Sequence, residues 1–191
     1  MDAFLQNLKR RPAAPPGANG AGVNPDDFLP DVACALPDQE HARLTALRAT
    51  GLVDSDAEAV FDRLTWLAAQ VSDCPIALPS LVTARRPWFK SRVGFTLPQT
   101  AREDAFCSHT IAQDQPLVVP DALLDARCQQ NPLVAGELHL RFYAGFALVD
   151  EKGSRLGALC VMEREPRRLR EREMRALGEL TAIAAEEIRR R

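Results

Sequence analysis

Two apolar segments, 141–149 and 155–163, are separated by the polar run Asp150-Glu151-Lys152-Gly153-Ser154. A short polar run with a glycine free to take positive φ is turn chemistry. The flanking segments therefore read as an antiparallel strand pair. In the first, Leu140, Phe142, Ala144, Phe146 and Leu148 share one face, and Arg141, Tyr143, Gly145 and Ala147 share the other. In the second, Leu156, Ala158, Cys160 and Met162 alternate with Gly157, Leu159 and Val161. Both faces of both strands are apolar, so these are central strands covered on two sides.

The upstream sequence supplies further elements. Asp38 can N-cap a helix over Gln39 to Thr50, ended by Gly51. A second helix follows Ser55 and Glu58, which form an S-x-x-E capping box. Its apolar stripe is Ala57, Val60, Phe61, Leu64, Leu67, Ala68 and Val71. Pro75 stops it. Ile76–Val82 predicts a strand and Trp88–Gly94 its hairpin partner, across Ala84-Arg85-Arg86-Pro87. Pro79, which cannot donate to a ladder, predicts a bulge or a lost hydrogen bond. Lys90 and Arg92 suit a charged edge strand. Short helices are expected over Arg102–Ala112 and Ala122–Gln129, with a strand at Leu117–Pro120 between them. A long helix from Glu171 to Arg190 repeats Met174, Leu177, Thr181, Ala184 and Ile188, widened by Leu180 and Ile183. That width covers a sheet and leaves apolar surface for a second copy.

At 191 residues the chain suits one domain, residues 38–191, preceded by a tail, residues 1–37. Residues 1–12 read as a frayed terminus, with a partner-docking helical turn as the alternative. Residues 12–37 are rich in Pro, Ala and Gly and read as a flexible linker. A net charge of −2 gives no electrostatic argument for nucleic acid or an anionic membrane. No apolar run approaches the roughly 18–20 residues of a membrane-spanning helix. Acidic Asp2 and the short, mixed Ala3–Leu8 do not make a signal peptide. The expected location is cytoplasmic. The five cysteines, Cys34, Cys74, Cys107, Cys128 and Cys160, contain no Cys-x-x-Cys and read as reduced.

Chemically varied residues cluster beside the sheet, the usual setting for a small-molecule pocket. The candidate ligand-binding residues are Cys107, His109, Asp121, Asp125, Cys128, Asn131, Arg141 and Tyr143. Cys107 and His109, two apart on a helix, point about 200° apart, so no metal site is expected from them. His109 near Asp121 is the pair expected to hydrogen-bond. Asp121 and Asn131 have a structural alternative, capping and loop bonding, and Tyr143 has one as core. No cofactor is indicated.

The element order carries a further set of motifs. They include Leu-x-x-x-Gly-Leu-Val-Asp (47–54), Pro-Ile-Ala-Leu (75–78), Trp-Phe-Lys-Ser (88–91), Phe-Cys-Ser-His-Thr-Ile (106–111) and Val-Val-Pro-Asp-Ala (118–122). Asn-Pro-Leu-Val (131–134), Arg-Phe-Tyr-Ala-Gly (141–145), Leu-Gly-Ala-Leu-Cys-Val (156–161) and Pro-Arg-Arg-Leu (166–169) follow in order. Together they resemble the GAF domain, and within it the bacterial subgroup that opens sensor histidine kinases and diguanylate cyclases. The resemblance spans Asp38 to Arg191. It implies an α/β sandwich: a central antiparallel sheet of about five to six strands, terminal helices on one face, and short helices over a pocket on the other. It also implies sensing, often as a homodimer, with the signal passed to an output domain.

The chain departs from the subgroup at Pro79 (an apolar strand residue there), Thr83 (an aspartate), Cys128 (a phenylalanine) and Glu163 (an aspartate). No output domain follows residue 191, which reads as a stand-alone module acting on a signalling protein in trans, or as part of a longer design. Three functions are carried forward. The first is a non-catalytic regulatory module binding a small molecule or partner protein. The second is a scaffold with an empty pocket. The third is a thiol enzyme of the sulfoxide reductase type, for which Cys107 and Cys128 are the available pair. The bilin-attachment and cyclic-nucleotide branches of the family do not match: Ser108 separates Cys107 from His109, and the nucleotide signature is missing.

Overall fold

The computed structural model describes residues 24–28, 40–102 and 104–191. The frayed terminus expected at 1–12, with its alternative helical turn, and the Asp38 cap lie outside the described residues. The helices are α1 (Glu40–Ala49), α2 (Ala59–Ser72), α3 (Phe106–Ile111), α4 (Pro132–Ala135) and α5 (Glu171–Arg189). The strands are β1 (Ile76–Val82), β2 (Pro87–Phe89), β3 (Leu117–Val119), β4 (Phe142–Val149) and β5 (Arg155–Glu163). They form one sheet in the order β2-β1-β5-β4-β3, antiparallel throughout. This is the expected five-stranded α/β sandwich, with β4 and β5 central.

Each face of the sheet has its own core. On one face Phe142, Ala144, Phe146, Leu159 and Val161 pack with Phe61, Leu64 and Ala68 of α2 and Leu177, Ala184 and Ile188 of α5. On the other, Leu78, Tyr143, Cys160 and Met162 pack with Phe106, Cys107 and Ile111 of α3 and Val134 of α4. Two residues leave their expected faces. Leu140 joins the second core because it lies ahead of β4, which begins at Phe142, and its N–H is held by Leu133 O of α4 (2.9 Å). Leu156 joins the first, because the β4–β5 register shifts between Leu148 and Val149.

Pro79 behaves as its chemistry demands. Its carbonyl accepts from Lys90 N (3.1 Å), so its missing N–H also faces β2. Pairing there passes from Ser80↔Phe89 to Ala77↔Val93, so Leu78-Pro79 faces three residues, Lys90 to Arg92. The bulge sits on the edge side, and the β1–β5 ladder runs unbroken past Pro79↔Leu159.

Several local expectations are corrected. The Ser55–Glu58 capping box does not form: Glu58 is the N-cap of α2 without a side-chain cap bond. Ser55 Oγ instead donates to Leu52 O and accepts from Lys90 Nζ. The helix ends earlier than Pro75, at Asp73, whose φ of +52° closes the last turn. Lys90 does not blunt an exposed edge. Its ammonium is buried against Ser55 Oγ (2.5 Å), Asp56 O (2.6 Å) and Glu58 Oε1 (2.8 Å). Leu67 and Val71 of the expected α2 stripe face outward, with Thr65 and Ala69 buried in their place. Residues 122–129 are turns rather than a helix, because Asp121 and Asp125 each accept from the N–H two residues on.

The span read as linker contains an ordered anchor. Pro25–Phe28 forms a single 3₁₀ turn, with Asp27 and Phe28 buried. Phe28 packs in the helical-face core, under the Arg48 guanidinium. Asp27 accepts from Thr83 Oγ1 (3.1 Å) and Arg86 NH2 (2.7 Å), and its carbonyl accepts from Ala84 N (2.7 Å). Arg86 also pairs with Asp54 (2.6 Å). The carboxylate that the resemblance places at position 83 thus comes from a distant part of the chain.

Candidate functional site

The two short helices owe their positions to local chemistry. Asn131 extends its backbone ahead of Pro132, and its side chain accepts from Leu133 N (2.8 Å), so it N-caps α4. Its amide also donates to Asp104 O (2.8 Å), tying α4 to the segment before α3. Arg141 donates to Val134 O (3.0 Å) and Leu140 O (2.8 Å), closing α4 onto β4.

That segment is held from below by buried charge. Arg102 NH1 donates to Glu40 Oε1 (2.8 Å) and Thr83 O (2.6 Å). Glu40 also accepts two bonds from Arg43, whose third goes to Val82 O. Burial opposes ionisation of Glu40, but Arg43 and Arg102 outweigh it and hold the carboxyl below its usual range. Arg102 Nε has no partner among the described residues. The triad ties α1 to the lip of the space under α3.

That space is a cavity of about 30 Å³. Its walls are Phe89, Phe95 and Phe106, the aliphatic Leu78 and Leu133, and the sulfur-bearing Cys107, Cys160 and Met162. Tyr143 forms its floor, stacked on Phe106 with ring centroids 5.0 Å apart. The Tyr143 hydroxyl shares hydrogen bonds with Thr110 Oγ1 (2.7 Å) and Cys160 Sγ (3.1 Å). Gly145 makes room for this ring, since a Cβ there would collide with the Tyr143 and Thr110 hydroxyls. Ser80 Oγ donates to Ala158 O (3.3 Å). Burial pushes the Cys107 thiol up to about 11, and it pushes Cys160 and Tyr143 well up too. These groups are protonated at neutral pH.

Of the eight residues singled out from sequence, the cavity gathers Cys107 and Tyr143. His109 is exposed on α3 beside Arg127 and Asp125 rather than Asp121, and partial desolvation followed by the Arg127 charge lowers its pKa. Asp125 is bound by Arg127 (2.9 Å), which lowers its carboxyl to about 2. Asp121 holds a turn. Cys128 is buried in the core of this face, its thiol pushed up by burial to about 11. Asn131 and Arg141 bond backbone, as above. Sequence reasoning passed over Ser80, Thr110, Cys160 and Met162. The period-two alternation places Ser80, Cys160 and Met162 on the face of Tyr143, a signal that was available.

Comparisons agree with this architecture. A family model described as GAF domain matches residues 40–188. A Pseudomonas aeruginosa protein, cyclic di-GMP phosphodiesterase PA2567, is 40% identical over 131 residues, which is 69% of this chain and 22% of that protein. The chain therefore spans about a fifth of its curated relative. Among solved structures, the blue-light-absorbing PixJ GAF domain of Thermosynechococcus elongatus superposes with a TM-score of 0.56 at 17% identity, covering 77% of this chain and 89% of that one. The GAF domain of a phosphoenolpyruvate-protein phosphotransferase from Coxiella burnetii gives 0.55 at 16%, over 76% and 92%. The type II free methionine-R-sulfoxide reductase of Thermoplasma acidophilum gives 0.54 at 8%, over 68% and 92%. At these identities the likeness is one of fold.

Proposed function

Because this chain belongs to the GAF family, we propose that it is a non-catalytic regulatory module that pairs with a second copy through α2 and α5 and passes a signal to an output protein or domain. The observation that carries this reading is the outer surface of those two helices. Trp66 is 40% and Ile183 48% exposed, and Leu67 and Val71 face outward with Trp66 on α2. Apolar surface gathered on paired helices suits a helical interface. The cavity lies on the opposite face of the same sheet, so a change beneath α3 reaches α5 through β4 and β5. By likeness to the Pseudomonas aeruginosa phosphodiesterase, the output would act on cyclic di-GMP.

Light scattering over a concentration series tests the interface. The wild-type chain is expected to run as a dimer, and Ile183→Glu and Trp66→Glu as monomers with unchanged circular dichroism. A monomeric wild type at high concentration would remove the dimer from this reading.

The scaffold reading keeps one observation in its favour: about 30 Å³ holds only a very small guest. The thiol-enzyme reading fares worse, since burial raises both Cys107 and Cys128, whereas an attacking thiol needs its pKa lowered. Native mass spectrometry separates sensor from scaffold. A small adduct lost on denaturation supports the first, and a bare mass from freshly purified protein supports the second.

A further inference from the structure

Three sulfur atoms meet at the cavity under α3. Cys107 comes from the helix, and Cys160 and Met162 from alternate positions of β5 on one face of the sheet. Both thiols line the one cavity, with the Tyr143 hydroxyl 3.1 Å from Cys160 Sγ. Among the described residues, no carboxylate or imidazole lines the cavity. Among the described residues no cluster of three or more His, Cys, Asp or Glu side chains is placed to hold a metal. Hard ions and tetrahedral zinc therefore find no ligand set here. Two thiolates and a thioether in an apolar space are instead the donor set of a soft, low-coordinate ion.

We infer that the cavity is a binding site for a soft monovalent cation, copper(I) by preference, held by Cys107 and Cys160 with Met162 as a neutral third donor. The inference deepens the sensor reading of this cavity and rests on it for its biological meaning, though not for its chemistry. On binding, both S–H bonds break, two sulfur–metal bonds form, and two protons pass to solvent. The metal enters and stays in the +1 state, so no electron is transferred. The resulting centre carries one net negative charge. The Tyr143 hydroxyl, 3.1 Å from Cys160 Sγ, is positioned to donate to it. The cavity is also the right scale: about 30 Å³ admits an ion or a water-sized guest and excludes a nucleotide.

The test is an anaerobic titration of the fully reduced chain into the copper(I)–bicinchoninate complex, following loss of the complex's colour and growth of near-ultraviolet thiolate-to-copper absorption. The wild type is expected to withdraw one equivalent. Cys107→Ser and Cys160→Ser should each weaken binding by at least about a hundredfold, and Met162→Leu, which conserves volume, by about tenfold. The triple variant Cys34→Ser, Cys74→Ser, Cys128→Ser keeps both proposed ligands and should bind like wild type. Loss of the copper in that triple variant, or no equivalent withdrawn by the wild type, overturns the site. Hydrogen exchange of α5 with and without copper(I) reads the sensor half separately. Copper bound with α5 unchanged overturns the sensing role and leaves the site. No copper bound overturns the site and leaves the regulatory reading to the dimer experiment.

Discussion

The two faces of the sheet are built from the same strands and differ in what covers them. One face lies under two long helices, α2 with 14 residues and α5 with 19. Its core is almost wholly aliphatic and phenylalanine. The other lies under helices of 6 and 4 residues joined by side-chain-stapled turns. Its core holds Cys107, Cys128, Cys160, Met162 and Tyr143. Long helices make a continuous surface that packs at native density and resists deformation. Short helices carry little stability of their own. They stay in place through Asn131, Arg141 and the Glu40–Arg43–Arg102 triad, which is a set of discrete tethers rather than a continuous contact. The lesson is a division of labour: one face stores stability, the other keeps a small adaptable space.

The sharpest way to break that contrast is to cut into the helical face. Phe61→Ala should lower stability by about 3–5 kcal/mol in urea unfolding, since Phe61 is fully buried where nothing can collapse around the void. A much smaller loss would mean that α2 is not the store of stability described here.

Next comes the seam between the faces. Glu40→Gln leaves the Arg43 and Arg102 charges buried without their carboxylate and should cost about 3 kcal/mol, with raised exchange at residues 102–111. Its pH signature follows from the sign of the shift. The folded pKa of Glu40 lies below its ordinary value of 4.5, so its stabilisation is full above that value and is lost as pH falls through the lowered one. Acid unfolding of wild type should steepen below about pH 4.5. In Glu40→Gln this component should disappear.

On the cavity face the effects should be smaller. Gly145→Ala should cost about 1–3 kcal/mol, because the added methyl displaces the Tyr143 and Thr110 hydroxyls. Tyr143→Phe should cost about 1 kcal/mol, the value of a buried hydroxyl bond. It should also bring the exposure of Cys160 to thiol reagents up in native protein. If the two cavity variants proved as damaging as Phe61→Ala, the faces would not differ as argued.

Most of the framework was legible in the sequence, because periodicity reports directly on which residues face a core. The alternation in 141–163 marked the central strands, and Pro79 marked the bulge. The site was legible only in part, for a physical reason: polar side chains near a pocket are spent on backbone. Asp121, Asp125, Asn131 and Arg141 looked like ligand groups and hold turns and caps. Cys160 looked inert within a strand, and only the packing of α3 over β5 brings it to the cavity. Glu40, Arg43 and Arg102 carry no local pattern, since their meeting depends on the tertiary fold. The same holds for Lys90, whose charge suggested an exposed edge and whose partners lie 32 to 35 positions upstream in the chain.

The salt bridge from Asp27 to Arg86 bears on how this unit travels between proteins. A cut at residue 38, where the sequence suggests that the domain begins, would strip one of two carboxylates from a partly buried guanidinium and uncover the floor beneath Phe28. The folding unit is therefore longer than the recognisable motif. A transplant or fusion that keeps residues 24–28 carries both counter-ions of Arg86, and one that starts later leaves Asp54 to hold it alone.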